Sequence, residues 1–189
     1  SFAASLTGRT PEYGFHLPSV RAGTIHVKLQ ASMTDLADWG ALGKIVGHPN
    51  QDYFAVPVFD EFNRMPTSDE LKHLGASLAS YGSMAMFHMV GVTPEAQSLE
   101  VALQSQKPNV VMTVTNSDIQ DIYDSYQYQN SAANIVVFSG PQLSLFEMQD
   151  LAEMFSGRKV APGMSVVITT NHMVYSDAKR LGYIQILED

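Results

Sequence analysis

Phe87-His88-Met89-Val90-Gly91-Val92-Thr93-Pro94-Glu95-Ala96 decides the fold class. An apolar strand over Met84 to Val90 runs into Gly91. Thr93 then offers an N-cap, with Pro94 at the first helical position, and the predicted helix continues through Leu99 and Leu103. A strand passing through one glycine into a capped helix is the repeating step of an α/β protein.

The same step recurs on both sides. Upstream, Thr24-Ile25-His26-Val27-Lys28-Leu29-Gln30 alternates apolar and polar residues, as a half-buried strand does. Thr34 to Val46 predicts a helix ended by Gly47. Tyr53 to Phe59 predicts a strand in which Pro57 marks an edge or an end. Thr67 and Glu70 form a capping box for a helix carrying Leu71, Leu74 and Leu78, stopped at Gly82. Downstream, Asn109 to Val114 predicts a strand, and Ser117 with Gln120 a helix start. Ile135 to Phe138 is a strand. Ser144 and Glu147 cap the next helix, with Leu143 and Met148 as its hydrophobic staple. Val166 to Thr169 and a helix capped by Asn171 close the series. The expected architecture is α/β: a mostly parallel sheet with helices on both faces and right-handed crossovers. Without an internal repeat or long linker, residues 1–189 read as a single α/β region.

Composition narrows the function. Net charge is −8, from 11 basic and 19 acidic residues, which argues against nucleic acid as a partner. No apolar run is long enough to span a membrane. Ser1-Phe2-Ala3-Ala4-Ser5 lacks the basic start of a secretory signal, and the chain begins without Met, as a processed or excised piece does. There is no cysteine, which removes disulfides, thiolate nucleophiles and Cys-ligated iron or zinc, and fits a reducing cytoplasm.

In parallel sheets, ligands sit at the carboxyl ends of the strands. At one such end His88 and Glu95 bracket a glycine turn and the expected free N–H groups of a helix start. A well-capped loop explains the same residues, with Glu95 favouring the helix dipole. Leu6-Thr7-Gly8-Arg9-Thr10-Pro11-Glu12-Tyr13-Gly14 suits a loop presenting polar groups, or an ordinary surface turn. At Ser139 to Ser144, Gln142 offers hydrogen bonds, although capping accounts for Ser144. Thr169-Thr170-Asn171-His172 is another such end, with Asn171 explained as a cap. None of the six histidines lies in a compact metal-ligand pattern.

Several of these segments together resemble the catalytic large subunit of the aconitase X family. They are Leu6 to Leu17, Asp38-Trp39-Gly40-Ala41-Leu42-Gly43, Phe87 to Ala96 and, less specifically, Arg180-Leu181-Gly182-Tyr183. The resemblance covers nearly the whole chain, as the central and C-terminal part of that subunit. It implies an aconitase-superfamily-like fold and a dehydratase acting on a small hydroxy carboxylate, such as a hydroxyproline or phosphomevalonate. Relatives use iron or an iron–sulfur cluster held by cysteines as Lewis acid for the leaving hydroxyl. On this resemblance Glu12, His88 and Glu95 are acid–base candidates, and Arg9, Thr93, Gln142 and Ser144 substrate-binding candidates.

Gly140-Pro141-Gln142-Leu143-Ser144 is similar to a family motif reading Cys-Pro-His-Leu-Ser. Glycine therefore stands where the metal-binding cysteine is expected, and Gln142 where histidine is expected. The expectation is a chain with no metal ligand and no cofactor of its own. Its chemistry would be altered and metal-independent, or a second chain would complete the site. The alternative is a non-catalytic aconitase X-like binding or assembly protein.

Overall fold

Ile25, Val27 and Leu29 are the apolar members of an alternating strand, and all three are buried. That strand, β1 (Ile25–Leu29), lies inside a four-stranded sheet in the computed structural model, which describes residues 2–126 and 133–188. The chain falls into two compact units, Ser1–Tyr126 and Gln127–Asp189.

In the first unit, β1 pairs with β2 (Pro57–Asp60) on one side and β4 (Val110–Val114) on the other. β2 also pairs with β3 (His88–Met89). Every pairing is parallel, in the order β3-β2-β1-β4, with Val27 opposite Phe59 and Met112. Pro57 heads an inner strand, where a missing N–H is tolerated. A helix not foreseen from the sequence, α1 (Phe2–Thr7), precedes this sheet.

Two long helices cover one face. α2 (Leu36–Gly47) starts at Asp35, whose carboxylate accepts from the Ala37 N–H at 2.8 Å. α3 (Ser68–Gly82) starts at the expected Thr67–Glu70 box. Trp39, Leu42 and Val46 of α2 and Leu74 and Leu78 of α3 close over Val27, Leu29 and Phe59. The two helices nearly touch. A Cβ on Gly43 would lie 2.4 Å from the Ser77 Cβ, and one on Gly47 would lie 2.9 Å from the Gly82 nitrogen. α5 (Asn116–Ser125) adds Ile119 to the same core. Its start is Thr115 with Asp118, rather than Ser117 with Gln120. The Asp118 carboxylate accepts from both the Thr115 N–H and its hydroxyl, at 2.7 Å each. On the opposite face Val58 packs with Ala96, Ala102 and Leu103, around the short α4 (Leu99–Ala102).

The segment around Gly91 departs from expectation in two ways. Only His88 and Met89 form strand, because β2 is short and its Val58 and Phe59 are the residues that pair there. Thr93 starts no helix. Its hydroxyl accepts from the Met89 N–H at 2.9 Å and donates to the Met89 carbonyl at 3.2 Å. The Gly91 N–H donates to the Ala96 carbonyl at 2.7 Å, closing a turn that Gly91 enters with φ +73°. Ser98 caps the four-residue helix that follows. The helix N-terminus expected at Pro94 is therefore absent, and Glu95 has no helix dipole to favour.

In the second unit β5 (Ile135–Leu143) runs parallel to β6 (Ser165–Thr170), with a register irregularity between Phe138 and Leu143. α6 (Leu145–Phe155), α7 (His172–Arg180) and α8 (Tyr183–Glu188) surround a core of Leu143, Met148, Leu151, Ala178 and Ile184. Ser144 with Glu147 and Asn171 cap α6 and α7 as expected, and Leu143 and Met148 share the core. No described helix is long and apolar enough to cross a bilayer.

Candidate functional site

The turn after β3 carries polar groups with long-range partners. His88 is buried, and its Nε2 lies 2.7 Å from the carbonyl oxygen of Arg21. A carbonyl only accepts, so Nε2 carries the proton. The Arg21 side chain reaches the other end of the same turn. Its Nε donates to Glu95 Oε2 at 2.8 Å, and Nη1 donates to the Phe15 carbonyl at 2.9 Å and the His16 carbonyl at 3.2 Å. One arginine thus ties residues 15–21 to both ends of the 88–95 turn, by its backbone at His88 and by its guanidinium at Glu95.

Two clefts flank this turn. One of about 520 Å³ is lined by Leu78, Met84, Phe87, His88, Thr93 and Glu95, among others. The other, of about 320 Å³, includes Arg21, His88, Glu95, Gln97 and Gln104. His88 and Glu95 are common to both, and Thr93 lines the larger. Both volumes suit a small ligand. Arg9 and Glu12 line neither cleft. They are exposed on the loop after α1, where the Arg9 N–H donates to the Thr7 hydroxyl at 3.3 Å. Gln142 and Ser144 belong to the second unit. There the Ser144 hydroxyl accepts from the Glu147 N–H at 3.2 Å, and Thr170 Oγ1 donates to the Leu143 carbonyl at 2.7 Å.

The carboxyl end of the first sheet carries a further polar set. His26 Nε2 lies 2.8 Å from Asp60 Oδ1, and Lys28 Nζ lies 3.2 Å from Glu61 Oε1. Gln30 donates to Glu61 as well, at 3.0 Å. Gln30 and Lys28 hold the Glu61 carboxyl below its usual range. His26 and Lys28 of β1, and Gln30 just after it, follow the two-residue period of a strand, which was the sequence signal for this set. Arg21 had none: it is a lone cation, 74 residues from its acidic partner.

The loops leaving the strands are pinned by ion pairs. Arg64 donates through Nε to the Met33 carbonyl at 2.9 Å and forks onto the Glu70 carboxylate. That fork, opposed by burial and aided by the Thr67 N–H, pushes Glu70 down to about 2. Burial acts upward on Asp38, but the N–H groups of Asp35 and Thr34 and the Tyr123 hydroxyl outweigh it and leave that carboxyl lowered. Burial and the Asp38 charge push the Tyr123 hydroxyl up.

A model of the aconitase X second domain matches residues 23–124. The chain belongs to the aconitase X family. A model of the aconitase X third domain matches residues 133–189. The phosphomevalonate dehydratase large subunit of Methanothermobacter thermautotrophicus is 32% identical over all of this chain and 45% of its own length. A cis-3-hydroxy-L-proline dehydratase of Pseudomonas aeruginosa is 29% identical over 97% of this chain and 32% of its own. The crystal structure of Thermococcus kodakaraensis aconitase X in its holo form superposes with a TM-score of 0.84 at 31% identity, over 99% of this chain and 46% of that one. The chain thus spans less than half the length of these aconitase X relatives.

The iron or iron–sulfur centre expected in aconitase X proteins does not fit the donors present here. The sequence has no cysteine, and among the described residues no three His, Asp or Glu side chains converge. Gly140, in the position of the expected cysteine, has φ +59° and nothing within 4 Å of where a Cβ would stand. Space for a side chain exists there, but a thiolate does not.

Proposed function

We propose that residues 1–189 are the central and C-terminal part of a dehydratase large subunit that removes water from a small hydroxy carboxylate. Similarity along the whole chain to both phosphomevalonate and cis-3-hydroxy-L-proline dehydratases carries this reading. Both names describe loss of water from a hydroxylated acid. In such a reaction a base takes the proton beside the carboxylate, the C=C bond forms, and the departing hydroxide is protonated to water. Glu95, on an exposed turn, is the group best placed to take a proton. The His88 imidazole is committed through Nε2–H to a backbone carbonyl and holds the turn that presents Glu95. Glu12 and Arg9, on an exposed polar loop, are proposed as further acid–base and anion contacts, with Thr93, Gln142 and Ser144 as substrate contacts.

A second chain is proposed as partner, since the phosphomevalonate dehydratase relatives are large subunits. A cytoplasmic location is proposed, with which a chain without cysteine is consistent, and the net charge of −8 argues against nucleic acid. The missing thiolates favour a second reading, a non-catalytic aconitase X-like binding or assembly protein.

Water loss from cis-3-hydroxy-L-proline and mevalonate 5-phosphate, followed by mass spectrometry, separates the two. The chain is assayed alone and with any protein that copurifies with it. Turnover abolished by Glu95→Gln supports the dehydratase. No turnover in either preparation supports the binding protein.

A further inference from the structure

The guanidinium of Arg21 is fixed independently of its acidic partner. Two backbone carbonyls, Phe15 and His16, hold Nη1. The carbonyl of Arg21 is itself held by His88. The wall beside it is braced, since Gln104 Nε2 donates to the Pro18 carbonyl at 2.6 Å. Gln104 and Ser105 take up φ +50° and +57° to form that wall, a conformation non-glycine residues rarely adopt.

Glu95 is held far less firmly. Its side chain is 51% exposed against 22% for Arg21, and among the described residues it meets the guanidinium through one oxygen. An arginine fork accepts a carboxylate through two. An exposed pair of this kind is weak, so an incoming carboxylate exchanges with it at little cost. Of the other polar side chains around this 320 Å³ cleft, Gln97 and Gln104 are uncharged amides, and the His88 imidazole spends its Nε2–H on the Arg21 carbonyl. With Glu95 turned outward, the cleft presents one fixed cation among neutral hydrogen-bonding groups. That is the chemistry of a seat for a single carboxylate.

We propose that Arg21 is the carboxylate-binding residue of this cleft, and that Glu95 occupies its seat until a small carboxylic acid displaces it. The exchange replaces one ion pair by another, so charge is conserved. It also frees the Glu95 carboxylate beside the arriving ligand. The ligand class, a hydroxy acid, rests on the dehydratase reading; the exchange itself does not.

The test uses the 189-residue chain, with NMR detection of the Arg21 Nε–H and Glu95 Cδ resonances. The probes are 3-hydroxybutyrate and its neutral amide. The acid is expected to shift both resonances, and the amide neither. Glu95→Gln removes the competitor and is expected to tighten binding of the acid about 2- to 5-fold. Arg21→Met is expected to abolish binding. Because Arg21 also holds two carbonyls, its folding is checked by circular dichroism, and Glu95→Gln decides if it unfolds. Unchanged or weaker affinity in Glu95→Gln overturns the proposal, as does no shift in either protein at tens of millimolar acid. Turnover measured on the same samples separates the two claims. The expected binding pattern without any water loss leaves Arg21 in place and removes the dehydratase. Water loss surviving Arg21→Met with an unchanged KM does the reverse.

Discussion

Replacing Glu70 by Gln removes one charge from a half-buried fork while leaving the side chain's shape. Glu70 accepts from Nη1 and Nη2 of Arg64 and, at 2.7 Å, from the Thr67 N–H. Its side chain is 11% exposed and that of Arg64 39%. Breaking a fully buried pair costs roughly 3–5 kcal/mol, and an exposed pair less than about 1. This half-buried fork lies between them, at about 2 kcal/mol. For a unit of this size that lowers the melting temperature by roughly 6–10 °C. The acid limb gives a sharper readout. The folded carboxyl is down at about 2, against an ordinary value of 4.5. Its stabilisation is therefore complete above about pH 4.5 and disappears as pH falls towards 2. Within that window the unfolded state binds about one more proton at this site, so stability climbs with pH by up to about 1.4 kcal/mol per unit. Urea unfolding of wild type and Glu70→Gln at pH 3, 4, 5 and 7 measures this. The variant is expected to be less stable at pH 5 and 7, with the gap narrowing at pH 4 and further at pH 3. A gap constant across all four values would refute the assignment of the shift to the Arg64 fork.

Gly43→Ala places a Cβ 2.4 Å from the Ser77 Cβ and should cost about 2 kcal/mol or more, whereas Gly40→Ala, with open space, should stabilise by about 0.5–1 kcal/mol in the same melt. Tyr123→Phe removes a 2.8 Å hydrogen bond to Asp38 and should cost about 1 kcal/mol, while leaving the tyrosine absorbance titration near pH 10 unchanged, because Tyr123 ionises above that range. Ser144→Ala removes the α6 cap and should destabilise the second unit by about 1 kcal/mol, read by hydrogen exchange of the α6 amides.

Capping chemistry made most of the fold legible. Thr67 with Glu70 and Ser144 with Glu147 are local, reciprocal pairs three residues apart, and both formed where the pattern placed them. Thr93 shows the limit of the same signal. A threonine hydroxyl satisfies the N–H four residues behind it as readily as one ahead, and here it turned back to Met89. At α5 the cap sits two residues earlier than expected, since Thr115 and Asp118 satisfy each other more completely than Ser117 and Gln120 would. The candidate site was legible only where it is local. His88, Thr93 and Glu95 share one short turn and line one cleft. Arg21 comes from a distant, unpatterned segment, and only the folded chain brings it to Glu95.

The near contact of α2 with α3 reaches beyond packing. With Gly43 against Ser77 and Gly47 against Gly82, the two helices interlock like gear teeth, and neither can slide along or roll about the other. The segments that feed them, residues 30–35 after β1 and 61–67 after β2, are thereby kept at one spacing. A side chain added at these glycines would push α3 off α2 and, with it, Leu78 and Met84, which line the larger cleft.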